Sequence, residues 1–305
     1  MAQGSEFAGQ VAIVVGGGAG IGREYCLGLA REGASVLVAG RGGSAAQTAA
    51  DIRAEGLIAE ACIADVREGE RIFEAAMNAF GKVDILIVNA GILRDKTFLK
   101  MSDEEWNDVL DVHLHGTRNC AKAVWPHMME RGYGRILLTV TSGVVYGNYG
   151  QANYISAKSG TMGLTYTLAI EGVRNGIKVN AIAPVATSAL TESVFTPELH
   201  AALPQAAVAP FALALVHPDT QENGSLIEVG GGWAAKFRWQ RSGGHRFAEG
   251  ERSVTNVLAH WDDIARFDER ADYPTKGLDT LSATAGEASK VGFIPVAKHG
   301  VVSKT

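Results

Sequence analysis

Val11-Ala12-Ile13-Val14-Val15-Gly16-Gly17-Gly18-Ala19-Gly20-Ile21-Gly22 is the stretch on which the fold turns. Five apolar, mostly β-branched residues in unbroken succession suit a strand buried on both faces of a parallel sheet. The run passes directly into glycines, and Arg23 to Glu32 then reads as a helix. Strand, glycine turn and helix in that order form the setting of a dinucleotide site. The glycines permit tight turning and close backbone approach, and the helix N-terminus attracts a pyrophosphate. Gly16, Gly18, Gly20, Ile21 and Gly22 are therefore candidate cofactor contacts.

Outward from this turn, strand-like and helix-like segments alternate. Strand candidates are 11–15, 35–39, 59–63, 83–88, 135–139, 178–182 and 226–229. Alternation of this kind predicts an α/β fold. The expected form is a Rossmann-type doubly wound parallel sheet of about seven strands, with helices on both faces and a C-terminal extension. The longest helix is expected from about Asp103 to Arg131, opened by a Ser102-x-x-Glu105 capping box. Beyond Gly232 the chain is more polar, with one modest helix around Val254 to Asp268. The expected division is a core over 1–232 that includes the catalytic site, and an extension over 233–305. No internal repeat is visible.

The end of the second strand bears on cofactor choice. A carboxylate there would bind the adenosine ribose hydroxyls and select NAD. The chain has Ala39-Gly40-Arg41 instead. A guanidinium fork suits a 2′-phosphate, so NADP(H) is the expected cofactor, with NAD(H) as the alternative.

A second motif lies far along the chain. Tyr154 and Lys158 are four residues apart, on one face of a helix. An ammonium beside a phenol favours the phenolate, so a lowered Tyr154 pKa is expected. A phenol tuned this way can exchange a proton with an alcohol or carbonyl oxygen.

Composition narrows the classes. The chain has 305 residues, 47% hydrophobic, ample for one large core. A net charge of −5 without a basic block argues against nucleic acid. No apolar run long enough to span a bilayer and no signal peptide is apparent, so no membrane partner is expected. Cys26, Cys62 and Cys120 are scattered and odd in number, which suggests core thiols in a reducing compartment. A cytoplasmic location is the expectation. The chain ends Ser303-Lys304-Thr305, similar to a peroxisomal Ser-Lys-Leu tail but without the Leu, and this is not credited.

Together the glycine run, Asn89-Ala90-Gly91 after a fourth strand, and Tyr154-x-x-x-Lys158 resemble the signature set of the short-chain dehydrogenase/reductase superfamily over residues 7 to about 232. Several further stretches resemble one branch of it. They include Ala90-Gly91-Ile92-Leu93-Arg94-Asp95, Val112-His113-Leu114-x-Gly116-Thr117, 146–154, Leu168-Ala169-Ile170-Glu171-Gly172 and Lys236-Phe237-Arg238-Trp239-Gln240-Arg241. That branch is the (3R)-hydroxyacyl-CoA dehydrogenase domain of type 2 peroxisomal multifunctional enzymes.

The resemblance implies an oxidoreductase and further site residues. Asp65 and Val66 correspond to an adenine-contacting position, and Asn89, Ala90 and Gly91 support the cofactor. The family places a serine thirteen residues before the tyrosine. Here that position is Thr141, with Ser142 next to it, and either hydroxyl could hold the substrate oxygen; Thr141 is favoured by position. An Asn that holds a water in the family's proton relay is replaced by His113, whose imidazole both donates and accepts. Pro184, Thr187 and Ser188 belong to the loop that wraps the nicotinamide, and Leu190 to Pro210 to a substrate lid. Lys158 is implied to bind the nicotinamide ribose. Lys236, Arg238 and Arg241 are candidates for CoA phosphates or for a plain basic face. A small-residue face at Ala157, Gly160, Gly163 and Leu164 suits a homodimer or homotetramer. The expected substrate is an acyl thioester or ketone, led by 3-oxoacyl-CoA or (3R)-3-hydroxyacyl-CoA. A related ketone reductase, for a 3-oxoacyl carrier protein, steroid or small cyclic ketone, is the alternative. A cofactor-binding sensor with little turnover is the third reading. No metal is expected.

Overall fold

Strand β1 (Val11–Val15) is buried at every residue and lies third in an eight-stranded sheet. The structure is a computed structural model and describes residues 6–187, 196–275, 279–280 and 283–284. The remaining strands are β2 (Ser35–Gly40), β3 (Ala59–Ile63), β4 (Ile85–Val88), β5 (Gly134–Thr139), β6 (Ile177–Pro184), β7 (Leu226–Gly230) and β8 (Trp233–Phe237). Their order is β3-β2-β1-β4-β5-β6-β7-β8. All pairs are parallel except β7 with β8. Strand β8 is the eighth strand, in residues expected to belong to the extension. Its Trp233-Ala234-Ala235-Lys236-Phe237 pattern is half exposed and carries no buried run.

Alternate residues of the central strands feed two cores, as the period of a strand requires. Ala12, Val14, Val36, Val38, Ile85 and Ile87 face one side. There they meet Tyr25 and Leu29 of α1 (Gly20–Arg31) and Ile52 of α2 (Gly43–Ala54). Ile13, Val15, Leu37, Leu86 and Val88 face the other side. They meet Ile72 of α3 (Gly69–Phe80) and Val124 and Met128 of the long helix. Each such Leu or Ile, fully buried, contributes roughly 1.5–3 kcal/mol. At the far end of the sheet, buried Asp84 accepts from Val11 N at 2.8 Å. It also pairs with Lys82 and Arg131, tying the start of β4 to β1.

The long helix is continuous but not uniform. It runs as α4 (Asp103–Leu110), a π-helical turn (Asp111–Gly116) and α5 (Thr117–Arg131). The capping box at its start is present: Ser102 Oγ accepts from Glu105 N, and Glu105 returns the bond to Ser102 N. In the π turn, the hydroxyls of Thr117 and Thr161 both donate to the His113 carbonyl. A short helix α6 (Gly143–Tyr146) then leads to α7 (Ala152–Gly172).

One stretch, Pro197–Val216, is long and apolar enough to cross a membrane by length and composition, against the expectation that no such run exists. It is broken into α8 (Pro197–Ala202), a 3-10 turn and α9 (Ala209–Val216). Ala209, Ala212, Leu215 and Val216 pack into the α1 side of the core, which accounts for their apolarity.

By contacts, the chain divides into two compact units, Met1–Phe237 and Arg238–Thr305. In the second, Arg241 and Asp272 exchange backbone bonds and a 2.6 Å ion pair. The helix expected over Val254 to Asp268 is two short ones, α10 (Val254–Ala259) and α11 (Trp261–Ala265), separated at His260.

Candidate active site

A cavity of about 1040 Å³ opens along the carboxyl ends of β1, β2, β4, β5 and β6. It straddles β1 and β4, where the strand order reverses direction, the place where ligands bind in open α/β sheets.

One half of the cavity is built by the glycine turn. Gly16 has φ +83, and a Cβ there would stand 2.6 Å from Ala90 N. A Cβ on Gly22 would stand 2.1 Å from Gly16 O, so only glycine lets α1 pack this closely on the turn. Val15 O accepts from both Asn89 N and Ala90 N, which fixes the second loop against the first. Ala19 caps α1 without a side-chain oxygen, leaving the first-turn N–H groups available to an anion. A dinucleotide pyrophosphate therefore fits this cradle. Arg41 and Ser44 line the same end, beside Gly40. Arg41 is exposed and forms no ion pair with a described residue. Asp65 and Val66 complete the wall; Arg67 grips the Asp65 carboxylate and holds its pKa below the usual range.

The other half holds Thr141, Tyr154, Lys158 and His113. Tyr154 sits in the first turn of α7, anchored by buried Asn153. The Asn153 amide donates to Arg94 O and Glu105 O, and its oxygen accepts from Tyr154 N at 2.7 Å. Lys158, one turn on, is buried and donates to Thr139 O at 2.5 Å. Thr139 Oγ1 in turn donates to Asn89 Oδ1, linking the end of β5 to the loop after β4. Thr141 Oγ1 accepts from Gly143 N. Its own proton stays available for a substrate oxygen.

Electrostatics depart from the sequence expectation at Tyr154. Its pKa is not lowered but pushed up to about 12, first by burial and then by the Asp95 carboxylate. Lys158 is pushed down to about 7 by burial. The ammonium stands 5.8 Å from the phenol ring centre and is occupied by Thr139 O. Burial disfavours both charges and outweighs their mutual attraction. At neutral pH Tyr154 is therefore a proton-bearing phenol, and Lys158 is poised between its charged and neutral forms.

His113 is driven down to about 3 by burial and by nearby Lys158, so it is a neutral imidazole. Its Nε2 faces both Ile92 O (2.7 Å) and Ile92 N (3.0 Å), while Nδ1 is buried without a partner. The ring meets Tyr154 edge-on at 5.0 Å. A Cβ on Gly91 would collide with it.

Most of the expected site residues meet in this cavity: Gly16, Gly18, Gly20, Ile21, Arg41, Asp65, Val66, Asn89, Ala90, Gly91, His113, Thr141, Tyr154, Lys158 and Pro184 all line it. Gly22 packs behind the turn. Two further described residues, Ser142 and Thr187, are not in the lining. The Ser142 hydroxyl accepts from Tyr146 OH at 2.8 Å, outside the lining. The Thr187 hydroxyl is taken by Leu203 O. Ser188 lies outside the described residues, as does part of the expected lid. Ala157 and Gly160 do not offer a free small-residue face: Ala157 is fully buried, and Gly160 packs on Leu114 of its own chain. The three candidate CoA cations have other partners. Lys236 pairs with Glu222, Arg238 stacks on Tyr273 and Arg241 pairs with Asp272. Sequence reasoning assigned no role to Ser44, Asp95, Asn148 or Gln151, which also line the cavity, as does Gln205 of the expected lid. Their only signal was proximity to recognised motifs.

The sequence model of the family described as short chain dehydrogenase matches residues 10–198. The chain belongs to the short-chain dehydrogenase family. It is 44% identical to a peroxisomal hydratase-dehydrogenase-epimerase of Neurospora crassa, over 90% of this chain and 31% of that one. It is 43% identical to the mouse peroxisomal multifunctional enzyme type 2, over 88% of this chain and 38% of that one. The solved full-length peroxisomal multifunctional enzyme type 2 of Drosophila melanogaster superposes with a TM-score of 0.81 at 35% identity, covering 93% of this chain and 50% of that one. This dehydrogenase chain thus spans about a third of the length of the first two relatives. Family membership makes it an oxidoreductase acting on CH–OH groups with NAD(P), which removes the sensor reading. The expected cytoplasmic location is overturned, because these relatives are named as peroxisomal enzymes. The Ser303-Lys304-Thr305 terminus lies outside the described residues.

Proposed function

We propose that this chain transfers a hydride between NADP(H) and a 3-oxoacyl-CoA/(3R)-3-hydroxyacyl-CoA pair. The carrying observation is the convergence of Thr141, Tyr154 and Lys158 at one end of a cavity whose other end is the glycine cradle and Arg41. The acyl-CoA class is supported by the resemblance to the multifunctional enzymes, and the NADP(H) preference by Arg41 standing where a carboxylate would select NAD. The names of the relatives support a peroxisomal setting.

The bound cofactor supplies or accepts the hydride. Thr141 donates to the substrate oxygen and fixes its position. Tyr154, held as a phenol, gives that oxygen its proton during reduction and takes it back during oxidation. Lys158, near 7, recharges the phenol and binds the ribose when it turns from Thr139 O. His113 holds the Ile92 backbone beside the cavity and packs against the Tyr154 ring, and its unpartnered Nδ1 offers a site for a relay water. Holding reactants at near-attack distance supplies much of the acceleration. Residues 238–305 act as an extension rather than a second catalytic domain. Self-association as a dimer or tetramer is favoured by Ile170 and Val173, apolar and exposed at the end of α7.

The test is initial rates with acetoacetyl-CoA, comparing NADPH with NADH, and the configuration of the product. Turnover that prefers NADPH and yields the (3R) alcohol is expected. Turnover with NADH preferred would remove the Arg41 argument alone, whereas inertness with both cofactors would remove the acyl-CoA reading.

A further inference from the structure

Beside Tyr154 the cavity wall is polar. Asp95, Gln151 and Asn148 form a chain: Gln151 Nε2 donates to Asp95 Oδ2 at 2.8 Å, and Asn148 Nδ2 donates to Gln151 Oε1 at 3.0 Å. The backbone holds the chain in place. Lys96 N donates to Gly150 O at 2.9 Å, and Lys96 and Gln151 form a parallel bridge. The loop after β4 is thus stitched to the segment that opens α7.

The carboxylate of Asp95 is not neutralised locally. The basic residues on either side of it turn to α4 instead, Arg94 toward Asp108 at 3.7 Å and Lys96 toward Glu105 at 3.6 Å. Among the described residues no Lys, Arg or His forms an ion pair with Asp95. Its charge is felt at the Tyr154 phenol, whose pKa it raises. Lys158, the cation nearest the reacting end, is engaged with Thr139 O and driven toward its neutral form. Asp95 is therefore an exposed carboxylate in the cavity wall beside Tyr154, without an ion-pair partner among the described residues. A like charge brought beside an exposed carboxylate is repelled, the more so at low ionic strength.

We propose that Asp95, held by Gln151 and Asn148, is a specificity-determining residue. It admits compounds whose group next to the reacting carbonyl is uncharged, such as esters and thioesters, and rejects those bearing a carboxylate there. Selection of this kind uses an introduced repulsion rather than a better contact. It would keep free 3-oxo acids from competing with their thioesters at the same carbonyl site. The inference rests on the oxidoreductase reading of that site and adds the charge state of its substrate.

The test compares acetoacetate with methyl acetoacetate, two small 3-oxo compounds that differ in this charge, by kcat/KM with the better cofactor. Acetoacetyl-CoA serves as the reference substrate. Asp95→Asn keeps an oxygen for Gln151 and removes only the charge. The wild type should favour the ester, and the variant should shift the ratio toward acetoacetate by at least about tenfold. A second measurement needs no variant. Raising the ionic strength screens an exposed carboxylate, so the wild-type ratio should also relax toward acetoacetate in salt. A ratio unmoved by salt and by the substitution overturns the inference, and so does a wild type that favours acetoacetate. Reduction of acetoacetyl-CoA with an unmoved ratio removes Asp95 alone. Inertness toward all three compounds removes the oxidoreductase reading and the inference with it.

Discussion

Lys158 donates its ammonium to the Thr139 carbonyl at 2.5 Å while standing 5.8 Å from the centre of the Tyr154 ring. The lysine is thereby anchored to the strand that carries Thr141, and the tyrosine keeps its proton. Burial of an amine at this position carries a stability cost that follows from the pKa. The folded value, about 7, lies below the unfolded value of 10.5. The group therefore contributes most above pH 10.5, and stability falls as pH drops from there to about 7. Lys158→Met should abolish turnover yet raise Tm at neutral pH by about 2–4 °C for each kcal/mol recovered. The dependence of Tm on pH between 7 and 10.5 should flatten. A lower Tm at every pH would show that the bond to Thr139 outweighs the burial.

Thr141 and Ser142 are adjacent, but only Thr141 faces the cavity. Thr141→Val should lower kcat/KM by roughly 10²–10³, the usual loss of one donor to a developing oxyanion. Ser142→Ala removes only a bond to Tyr146 and should change kcat/KM less than about threefold. Equal effects from the two substitutions would contradict the assignment.

The proposed NADP(H) preference rests on Arg41. Arg41→Asp places a carboxylate at the ribose position and removes the phosphate's fork. The NADPH/NADH ratio of kcat/KM should fall at least about tenfold. An unchanged ratio would return Arg41 to the role of a surface charge.

Asn153 ties together the loop after β4, α4 and Tyr154. Asn153→Ala removes the side-chain donor to Arg94 O and Glu105 O and the acceptor of Tyr154 N, at roughly 1–3 kcal/mol. Calorimetry should show the loss. Kinetics should show a lower kcat with little change in cofactor KM, because Tyr154 loses its support while the glycine cradle is untouched. A stability loss with kcat intact would assign Asn153 to packing alone.

Much of this was legible in the sequence, for identifiable reasons. Buried parallel strands read as near-continuous apolar runs, so β1, β2, β4, β5 and β6 could be located to within a few residues. Edge strand β8 has one exposed face and no such run, and it was missed. The helix from Asp103 to Arg131 was readable from its capping box, but not the π turn at Asp111–Gly116, where Thr117 and Thr161 donate to the His113 carbonyl across elements. Spacing brought Tyr154 and Lys158 to one face of a helix. The direction of the Tyr154 pKa shift depends on burial, which spacing does not encode. The choice between Thr141 and Ser142 depends on which hydroxyl turns inward, and only the fold decides that. Asp95, Asn148 and Gln151 belong to segments far apart in the chain, and their hydrogen-bonded row exists only once β4 and α7 are placed together.

The central claim is that Tyr154 passes the proton in a cavity that binds cofactor independently of it. The most direct measurement is a single turnover of Tyr154→Phe beside the wild type, both loaded with NADPH and mixed with acetoacetyl-CoA, alongside NADPH binding by fluorescence. The account predicts unchanged NADPH binding and a hydride-transfer rate lower by about 10²–10⁴. A variant that oxidises NADPH at the wild-type rate would contradict it.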